Sequence, residues 1–223
     1  MITLGPYRRV VDLPRVIPIF PLPGVLLLPR GKLPLTVFEP RYLEMTQAAI
    51  GSHRLIGMVQ PMDPEAPLDQ PAVYRTGCAG RITTFAETDD GRYLITLAGI
   101  ARFDIVRELP KEGRLHRQVE ADFTRFADDL AEPEDAKLDR SRLIPALKDY
   151  FQIHGMTADW GSIERAPNNH LITCLAMICP FQPNEKQALL EYRNDSERAG
   201  AVIALLEMAA HESRGTPRCG RQQ

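Results

Sequence analysis

The chain has 223 residues, and its 27 Lys and Arg residues against 29 Asp and Glu residues give a net charge of −2. A chain of this length buries an adequate core as one large domain or two small ones, so folding requires neither a metal nor a disulfide. The charge balance argues against a general nucleic-acid binder held by phosphate neutralisation. The four cysteines form no C-x-x-C pair and no secreted framework, which favours a reducing, cytoplasmic compartment.

The apolar stretch VIPIFPLPGVLLLP occupies residues 16–29 and contains four prolines. So many helix breakers argue against a signal-peptide core or a membrane-spanning helix, and we expect no membrane segment elsewhere. Gly24 in this stretch precedes Gly31-Lys32, but six residues intervene and Leu33 follows the lysine. A phosphate-binding loop requires G-x-x-x-x-G-K followed by Ser or Thr. The pattern therefore predicts a buried strand ended by a turn, and no nucleotide site.

Short apolar runs separated by Gly, Pro and Asp continue to about residue 126 and predict strands. The predicted strands lie at residues 16–20, 35–38, 54–60, 81–87, 92–97, 101–108 and 115–123. Asp90-Gly91 predicts a hairpin between two of them, because glycine takes the positive φ that the turn needs. One helix is predicted in this half, from Pro40, which fits the first helical turn, to Ile50.

From about residue 134 the apolar period becomes helical. We predict helices over residues 138–151, which contain Pro145, and over residues 167–179, and two more that begin at the capping patterns of Asn184 and Asn194. The acidic residues 127–135 are predicted to link a strand-rich subdomain at residues 1–126 to a helical bundle at residues 136–212. Residues 213–223 lack an apolar period, so we expect a disordered tail.

The sequence has no clear pattern of catalytic or metal-binding residues. His170 and Cys174 have the i, i+4 spacing that can present two ligands to zinc, but Cys179 lies on another side of the helix and no fourth ligand is near. Buried cysteines on an apolar helix face are the simpler interpretation. No serine lies in a Gly-x-Ser-x-Gly elbow. We therefore predict no catalytic residue, no metal and no cofactor.

A group of basic residues near the N-terminus keeps nucleic-acid binding open as an alternative. The group consists of Arg8, Arg9, Arg15, Arg30, Lys32 and Arg41, with Tyr7 and Tyr42 as aromatic residues that can stack on bases. Charges beside strand ends and turns are also typical of an ordinary solvated rim. The overall acidic balance favours that second interpretation.

Five stretches of the chain follow one another in an order that is typical of one family. They are IFPLPGVLLLP at residues 19–29, PLTVFEPRYLEM at 34–45, GCAGRI at 77–82, DDGRYLITLAGIARFDIV at 89–106 and PFQPNEKQALLE at 180–191. From about residue 16 to residue 212 the chain resembles the N-terminal, substrate-recognition domain of Lon proteases. Each stretch alone is moderately specific, and five in the same order are strong.

The resemblance implies an α+β fold, in which a PUA-like β pseudobarrel with one inserted helix is followed by a C-terminal α-helical bundle. It also implies a role in recognising polypeptides, because in a full-length Lon protease this domain engages unfolded or tagged substrates ahead of an ATPase and a Ser-Lys peptidase. The sequence contains neither a Walker lysine nor a recognisable peptidase segment. We therefore expect a protein that is not an enzyme.

Two motifs of the family fall on residues 38–42 and 99–103, and we expect both to have structural roles. The residues are Phe38, Glu39, Pro40, Arg41, Tyr42, Gly99, Arg102 and Phe103. Pro40 is expected to start a helix, Gly99 to allow a tight turn, and Phe38 and Phe103 to fill the core. A pairing of Glu39 with Arg81 or Arg102 would position strands.

The favoured hypothesis is a non-catalytic protein that binds unfolded or exposed polypeptide segments, as an adaptor or a weak holdase. The peptide is expected at an edge of the pseudobarrel or in the cleft between the two halves, held by backbone hydrogen bonds. A full-length Lon protease is the candidate protein partner. The alternatives are a PUA-like RNA-binding module and a hydrolase whose active site has an unfamiliar spacing.

Overall fold

The structure is a computed structural model that describes residues 7–65, 70–133 and 135–215, with side chains as far as His211. The described strands are β1 (Val16–Pro21), β2 (Lys32–Val37), β3 (Leu55–Val59), β4 (Thr76–Glu87), β5 (Tyr93–Glu108) and β6 (Arg117–Asp122). The described α-helices are α1 (Pro40–Ile50), α2 (Arg140–Ile153), α3 (Trp160–Arg165), α4 (Asn168–Ile178), α5 (Pro183–Glu191) and α6 (Asp195–Gly215). Two 3₁₀ helices lie at Val10–Asp12 and Thr124–Leu130. The fold class is α+β, as predicted.

The strands form one mixed sheet in the order β2-β5-β4-β3-β1-β6. β1 and β3 are parallel, and the other pairs are antiparallel. β5 also pairs with β6, so the pairings β5-β4-β3-β1-β6-β5 close into a circuit to which β2 is added. β5 pairs with three strands, β2, β4 and β6, because it is 16 residues long. The relation of this circuit to PUA-like pseudobarrels stays a prediction.

Two strand predictions are wrong. The sequence predicted two strands with a turn at Gly99, but Gly99 lies inside β5, paired with Gly80, and the irregularity falls at Ile100. Residues 25–28 were expected to form a buried strand. Leu27 and Leu28 are indeed only 1% exposed, yet these residues lie in the loop between β1 and β2 and form no strand.

The predicted acidic linker at residues 127–135 is partly structured. Its first residues belong to the 3₁₀ helix Thr124–Leu130, in which Asp129 is only 8% exposed. At the other end of the chain, α6 extends to Gly215, so it includes residues 213–215 that were assigned to the tail. Residues 216–223, for which disorder was predicted, lie outside the described residues.

The chain divides into two compact units that do not follow a single break in the sequence. The first contains Met1–Pro133 and Ala176–Glu191, and the second contains Glu134–Leu175 and Tyr192–Gln223. Residues 176–191 belong to the first unit, in which polar side chains of α5 contact β4 and the loop between β1 and β2: Gln187 Nε2 donates to Thr76 O at 3.2 Å, and Lys186 Nζ donates to Gly24 O at 2.9 Å. The predicted subdomain boundaries at residues 126 and 136 therefore differ from this division.

The second unit contains helices whose starts the sequence predicted well. Asp139 caps α2 by accepting hydrogen bonds from the backbone N–H groups of Ser141 and Arg142. Asn194 Oδ1 accepts from Glu197 N at 2.9 Å at the start of α6, as its capping pattern predicted. The short helix α3 was not predicted. No helix in the described ranges is both long enough and apolar enough to cross a membrane.

Arg140, at the start of α2, forms hydrogen bonds with residues at the end of α3 and just after it. Its guanidinium donates to Ile163 O at 3.2 Å, to Glu164 O at 3.0 Å and to Ala166 O, and its Nε donates to Asn168 Oδ1 at 2.9 Å. The residue therefore donates to carbonyl groups in the last turn of the short helix and just after it, where the regular helical hydrogen bonds end.

Substituting Arg140→Ala is expected to lower the free energy of unfolding of the second unit by about 1–3 kcal/mol, because several part-buried acceptors lose their donor. The matched control is Arg142→Ala on the same helix, whose ion pair with Glu207 is exposed and should contribute less. Urea unfolding followed by circular dichroism compares the two variants. Equal losses would contradict the structural role of Arg140.

Candidate functional site

The motif at residues 38–42 surrounds the start of α1, and one of its residues departs from expectation. Pro40 begins α1, as predicted. Tyr42 is buried, and its ring centroid lies 4.0 Å from that of Phe20. The Arg41 guanidinium carbon lies 4.5 Å from the Tyr42 ring centroid. Phe38, in contrast, is 63% exposed, so its predicted place in the core is wrong.

Glu39 does not pair with Arg81 or Arg102, as had been expected. Its carboxylate accepts hydrogen bonds from Arg41, two residues away, with a shortest distance of 2.7 Å. Arg102 instead binds Asp129, with Nε–Oδ2 and Nη2–Oδ1 distances of 2.9 and 2.7 Å. The motif residues 38–42 and 99–103 thus stabilise separate parts of the first unit and do not converge on one site.

Phe103 fills the centre of the sheet core. It is fully buried, and its ring centroid lies 5.8 Å from that of Phe123. Gly57 and Gly77 leave space for it, since a Cβ at either position would approach Phe103 Cζ to within 2.8 Å. This motif residue therefore has the structural role that the sequence predicted.

A candidate site that contains none of these motif residues lies where β4 stops pairing with β3. The ladder between β3 and β4 ends at the pair Leu55↔Arg81, and Ile82 N then donates to Arg54 O at 2.8 Å. Arg54 has a φ of +58° and joins the end of α1 to β3. In the described part of the chain, residues 84–87 of β4 consequently pair with β5 alone, Thr83 lies in a bulge, and one edge of residues 83–87 is open.

The open edge presents backbone groups that can form hydrogen bonds. Thr88 N donates to Arg92 O at 2.9 Å at the hairpin end of the β4–β5 ladder. Bonded pairs alternate in an antiparallel ladder, so residues 84 and 86 direct their N–H and C=O groups toward β5. Phe85 and Glu87 therefore direct theirs away from β5, toward the open edge. An edge of this kind can accept an additional strand.

An apolar groove of about 530 Å³ runs along this edge, and we call it the edge groove. Its lining residues are Gln47, Ile50, Gly51, Arg54, Ile82, Thr83, Thr84, Phe85 and Tyr93. The Phe85 side chain is 46% exposed and contacts Tyr93 edge-on, with 5.0 Å between the ring centroids. Gln47 donates to the Tyr93 hydroxyl. The volume is in the range of sites that bind a few side chains of a ligand.

A second depression of about 370 Å³ lies on strands β2, β4 and β5 and shares Thr84 and Phe85 with the edge groove. It is lined by Pro34, Leu35, Thr36, Thr84, Phe85, Ala86, Leu94, Ile95 and Thr96. Leu94 is 44% exposed there. Leu94 pairs with Ala86 and Phe85 pairs with Ile95, so these two exposed apolar side chains lie on opposite faces of the sheet.

The predicted buried pair of cysteines is only partly confirmed, because Cys179 is buried whereas Cys174 is half-buried. Cys174 Sγ lies 3.5 Å from His170 Nε2. Cys179 is fully buried, and burial raises the pKa of its thiol to about 12. Among the described residues, no group of three or more His, Cys, Asp or Glu side chains is arranged to hold a metal ion.

Several of the basic residues near the N-terminus are already engaged within the protein. Arg9 pairs with Asp12 and Arg41 pairs with Glu39. Arg30 donates a hydrogen bond to Ala131 O. These contacts are the ones expected of a solvated rim, and the two ion pairs offset part of the positive charge that this group can offer to phosphates.

The comparison with solved structures defines the fold. The Lon N-terminal domain protein of Xanthomonas campestris matches with a TM-score of 0.57 and 22% sequence identity, covering 85% of this chain and 97% of that one. The N-terminal domain of a Mycobacterium avium complex Lon protease matches with a TM-score of 0.55 and 16% identity, covering 86% and 98%. The chain therefore has the fold of Lon N-terminal domains.

The family model for the ATP-dependent protease La (LON) substrate-binding domain matches residues 16–208, and the chain belongs to this family. Lon protease 2 of Myxococcus xanthus is 25% identical over 196 residues, which are 87% of this chain and 24% of that protein. Lon protease 2 of Thermus thermophilus is 25% identical over 203 residues, which are 87% of this chain and again 24% of that protein. The chain thus spans about a quarter of the length of these relatives.

Proposed function

We propose that this chain is a polypeptide-recognition domain whose edge groove binds extended, apolar segments of other proteins by strand addition. The observation that carries the proposal is the open edge of β4 at residues 83–87, which lies directly beside an apolar groove. Backbone groups of an added strand would pair with those of Phe85 and Glu87. Specificity would come from alternate side chains, which a strand directs to one face.

The composition of the site favours unfolded segments over folded surfaces. The open edge forms hydrogen bonds with the backbone N–H and C=O groups of its ligand. In a folded protein these groups are already paired with one another, so only an unfolded, extended segment can offer them. The exposed Phe85 side chain offers apolar contact in the edge groove. The family's name supports a substrate-binding role, and we extend it to an adaptor or weak holdase that is not itself an enzyme.

Partners follow from the same proposal. The ligands are unfolded or exposed polypeptide segments, and a full-length Lon protease is the protein with which an adaptor of this family would act. We also propose that the closed circuit of strand pairings is the PUA-like pseudobarrel that the resemblance implies. A holdase role predicts that a destabilised, unfolded client is bound in preference to the same client in its folded form.

The Phe85→Ser variant tests the edge groove. We expect it to weaken binding of an extended apolar peptide by about tenfold or more, because it removes a large apolar contact that the ligand would cover. Fluorescence anisotropy of a labelled peptide of about eight residues measures the dissociation constant. Phe38→Ser is the matched control, since Phe38 is also exposed but lies outside the groove lining.

Methylation of single peptide nitrogens tests strand addition separately. A methyl group on a nitrogen that faces β4 removes a ladder hydrogen bond, whereas one on the next nitrogen points away. We therefore expect affinity to fall at every second position along the peptide. Equal effects at all positions would contradict strand addition, and equal binding by Phe85→Ser and Phe38→Ser would place the ligand elsewhere.

A further inference from the structure

We infer that the edge groove selects the C-terminal segment of its polypeptide ligand and that Arg54 binds the terminal carboxylate. The inference rests on the proposed function and specifies which part of a client the site takes. It depends on three features of the groove: the direction in which an added strand would run, the residue that blocks its end, and the charge at that end.

The direction follows from the strands already present. β4 is antiparallel to both of its neighbours, β3 and β5. Antiparallel pairs are also commoner than parallel ones and slightly more stable per residue. A ligand strand beside residues 83–87 would occupy the line that β3 leaves, and would run in the same direction as β3. Because β3 runs away from Arg54, the ligand would run toward it and meet it with its C-terminal end.

Arg54 marks the point at which the ligand strand must stop. Its carbonyl already accepts the hydrogen bond from Ile82 N, so the position opposite Ile82 is occupied by the protein's own chain. The bulge at Thr83 separates this position from the regular pairs that begin at Thr84. A ligand residue opposite Thr84 is consequently the last that fits before Arg54. An internal segment of a client would have to leave the groove sharply there, whereas a chain end would not.

The charge at this end suits a carboxylate. Of the nine described residues that line the groove, Arg54 alone carries a charge. No described carboxylate forms an ion pair with its guanidinium. Guanidinium groups bind carboxylates through paired, charge-assisted hydrogen bonds.

The nearby end of α1 does not cancel this positive charge. The C-terminal carbonyl groups of a helix carry partial negative charge. Here Ala48 O accepts from Ser52 Oγ at 2.8 Å, and Ala49 O accepts from Arg54 N at 2.8 Å and from Ser52 N at 3.1 Å. Gln47 O accepts from Gly51 N at 3.0 Å. These donors satisfy the carbonyls and leave the Arg54 side chain as the strongest charge facing the groove.

Two versions of one peptide test the inference. An N-acetylated, labelled apolar peptide of about eight residues is prepared with a free C-terminal carboxylate and with a C-terminal amide. We expect the wild-type protein to bind the acid about tenfold more tightly than the amide, because only the acid makes the charge-assisted contact. Arg54→Gln should abolish this ratio by weakening the acid alone, and Arg54→Lys should restore part of it.

Arg107→Gln is the matched control, since Arg107 is exposed and pairs with Glu120 outside the groove. It should keep the wild-type ratio. Equal wild-type affinity for acid and amide, or a ratio that persists in Arg54→Gln, would overturn the role of Arg54. If Phe85→Ser still weakens both peptides in that case, the edge groove retains its proposed function. If neither peptide binds the wild-type protein, the proposed function and this inference both fail.

Discussion

Replacing Asp129 by alanine should destabilise the first unit by about 3–5 kcal/mol, because it leaves the charge of Arg102 buried without its partner. The pair is almost completely enclosed: the side chains of Arg102 and Asp129 are 4% and 8% exposed. Asp129 Oδ2 also accepts from Arg102 N at 2.9 Å, and Arg102 Nη1 donates to Leu190 O at 3.0 Å. The single substitution therefore disturbs β5 and the 3₁₀ helix at Thr124–Leu130, and urea unfolding followed by circular dichroism measures the loss.

Asp128→Ala supplies the control for this prediction. Asp128 belongs to the same 3₁₀ helix but is exposed, so its removal should change stability little. A double variant, Asp129→Leu with Arg102→Met, should recover part of the loss, because an apolar pair leaves no buried charge unpaired. Equal destabilisation by Asp129→Ala and Asp128→Ala would show that the ion pair contributes nothing specific. A double variant as unstable as the sum of the two single ones would show that the two residues act independently.

Local patterns in the sequence were sufficient to predict most elements of the fold. Pro40 and the capping residue Asn194 place the starts of α1 and α6 because each acts on backbone groups within a few residues. The hairpin between β4 and β5 follows from Gly91, which has the positive φ that its turn requires. The start of α5 was placed two residues late: the helix begins at Pro183, and Glu185 accepts a hydrogen bond from Gln182 N.

Such local patterns could not predict contacts between residues that are far apart in the sequence. Asp129 lies in an acidic stretch that is typical of a solvated linker, and its partner Arg102 is 27 residues away. Glu39 was expected to pair with Arg81 or Arg102, but it binds Arg41, two residues away. Charge patterns show which pairs can form, whereas the fold decides which carboxylate meets which guanidinium.

The candidate site could not be predicted for a related reason. Strand β3 was expected, but β4 was expected only over residues 81–87; it begins at Thr76, so most of the residues that pair with β3 were missed. A free edge also depends on where the β3–β4 ladder ends, and that is set by the turn at Arg54. One exposed arginine with a positive φ has no signature in sequence. Phe85, in contrast, lay in a predicted strand, and an aromatic residue near the tip of a hairpin was available as a signal for surface binding.

The sequence motif predicted that Gly99 allows a tight turn, whereas in the structure Gly99 lies inside β5, where the backbone of another segment comes close to it. Its N–H donates to Gly31 O at 2.9 Å, and its carbonyl accepts from Arg30 N at 2.8 Å. These two bonds hold the loop before β2 directly against β5. A Cβ on Gly99 would overlap Leu28 O and lie 2.8 Å from Leu28 C and 3.2 Å from Pro29 Cα. The neighbours are backbone atoms, so no side-chain rotation can relieve the overlap.

Gly99→Ala should therefore lower the free energy of unfolding by about 3 kcal/mol, because one methyl group must either break both hydrogen bonds or displace the loop. Gly51→Ala is the matched control: its φ is −71°, and its Cβ would lie 3.5 Å from Gln47 O, an ordinary contact. Urea unfolding compares the two variants, and hydrogen exchange at the amides of residues 30 and 99 reports the two bonds directly. We expect Gly99→Ala to lose protection at both amides while Gly51→Ala keeps it. If Gly99→Ala unfolds at the wild-type urea concentration with both amides protected, then the loop can move without cost, and a close backbone approach is not what requires glycine in this strand.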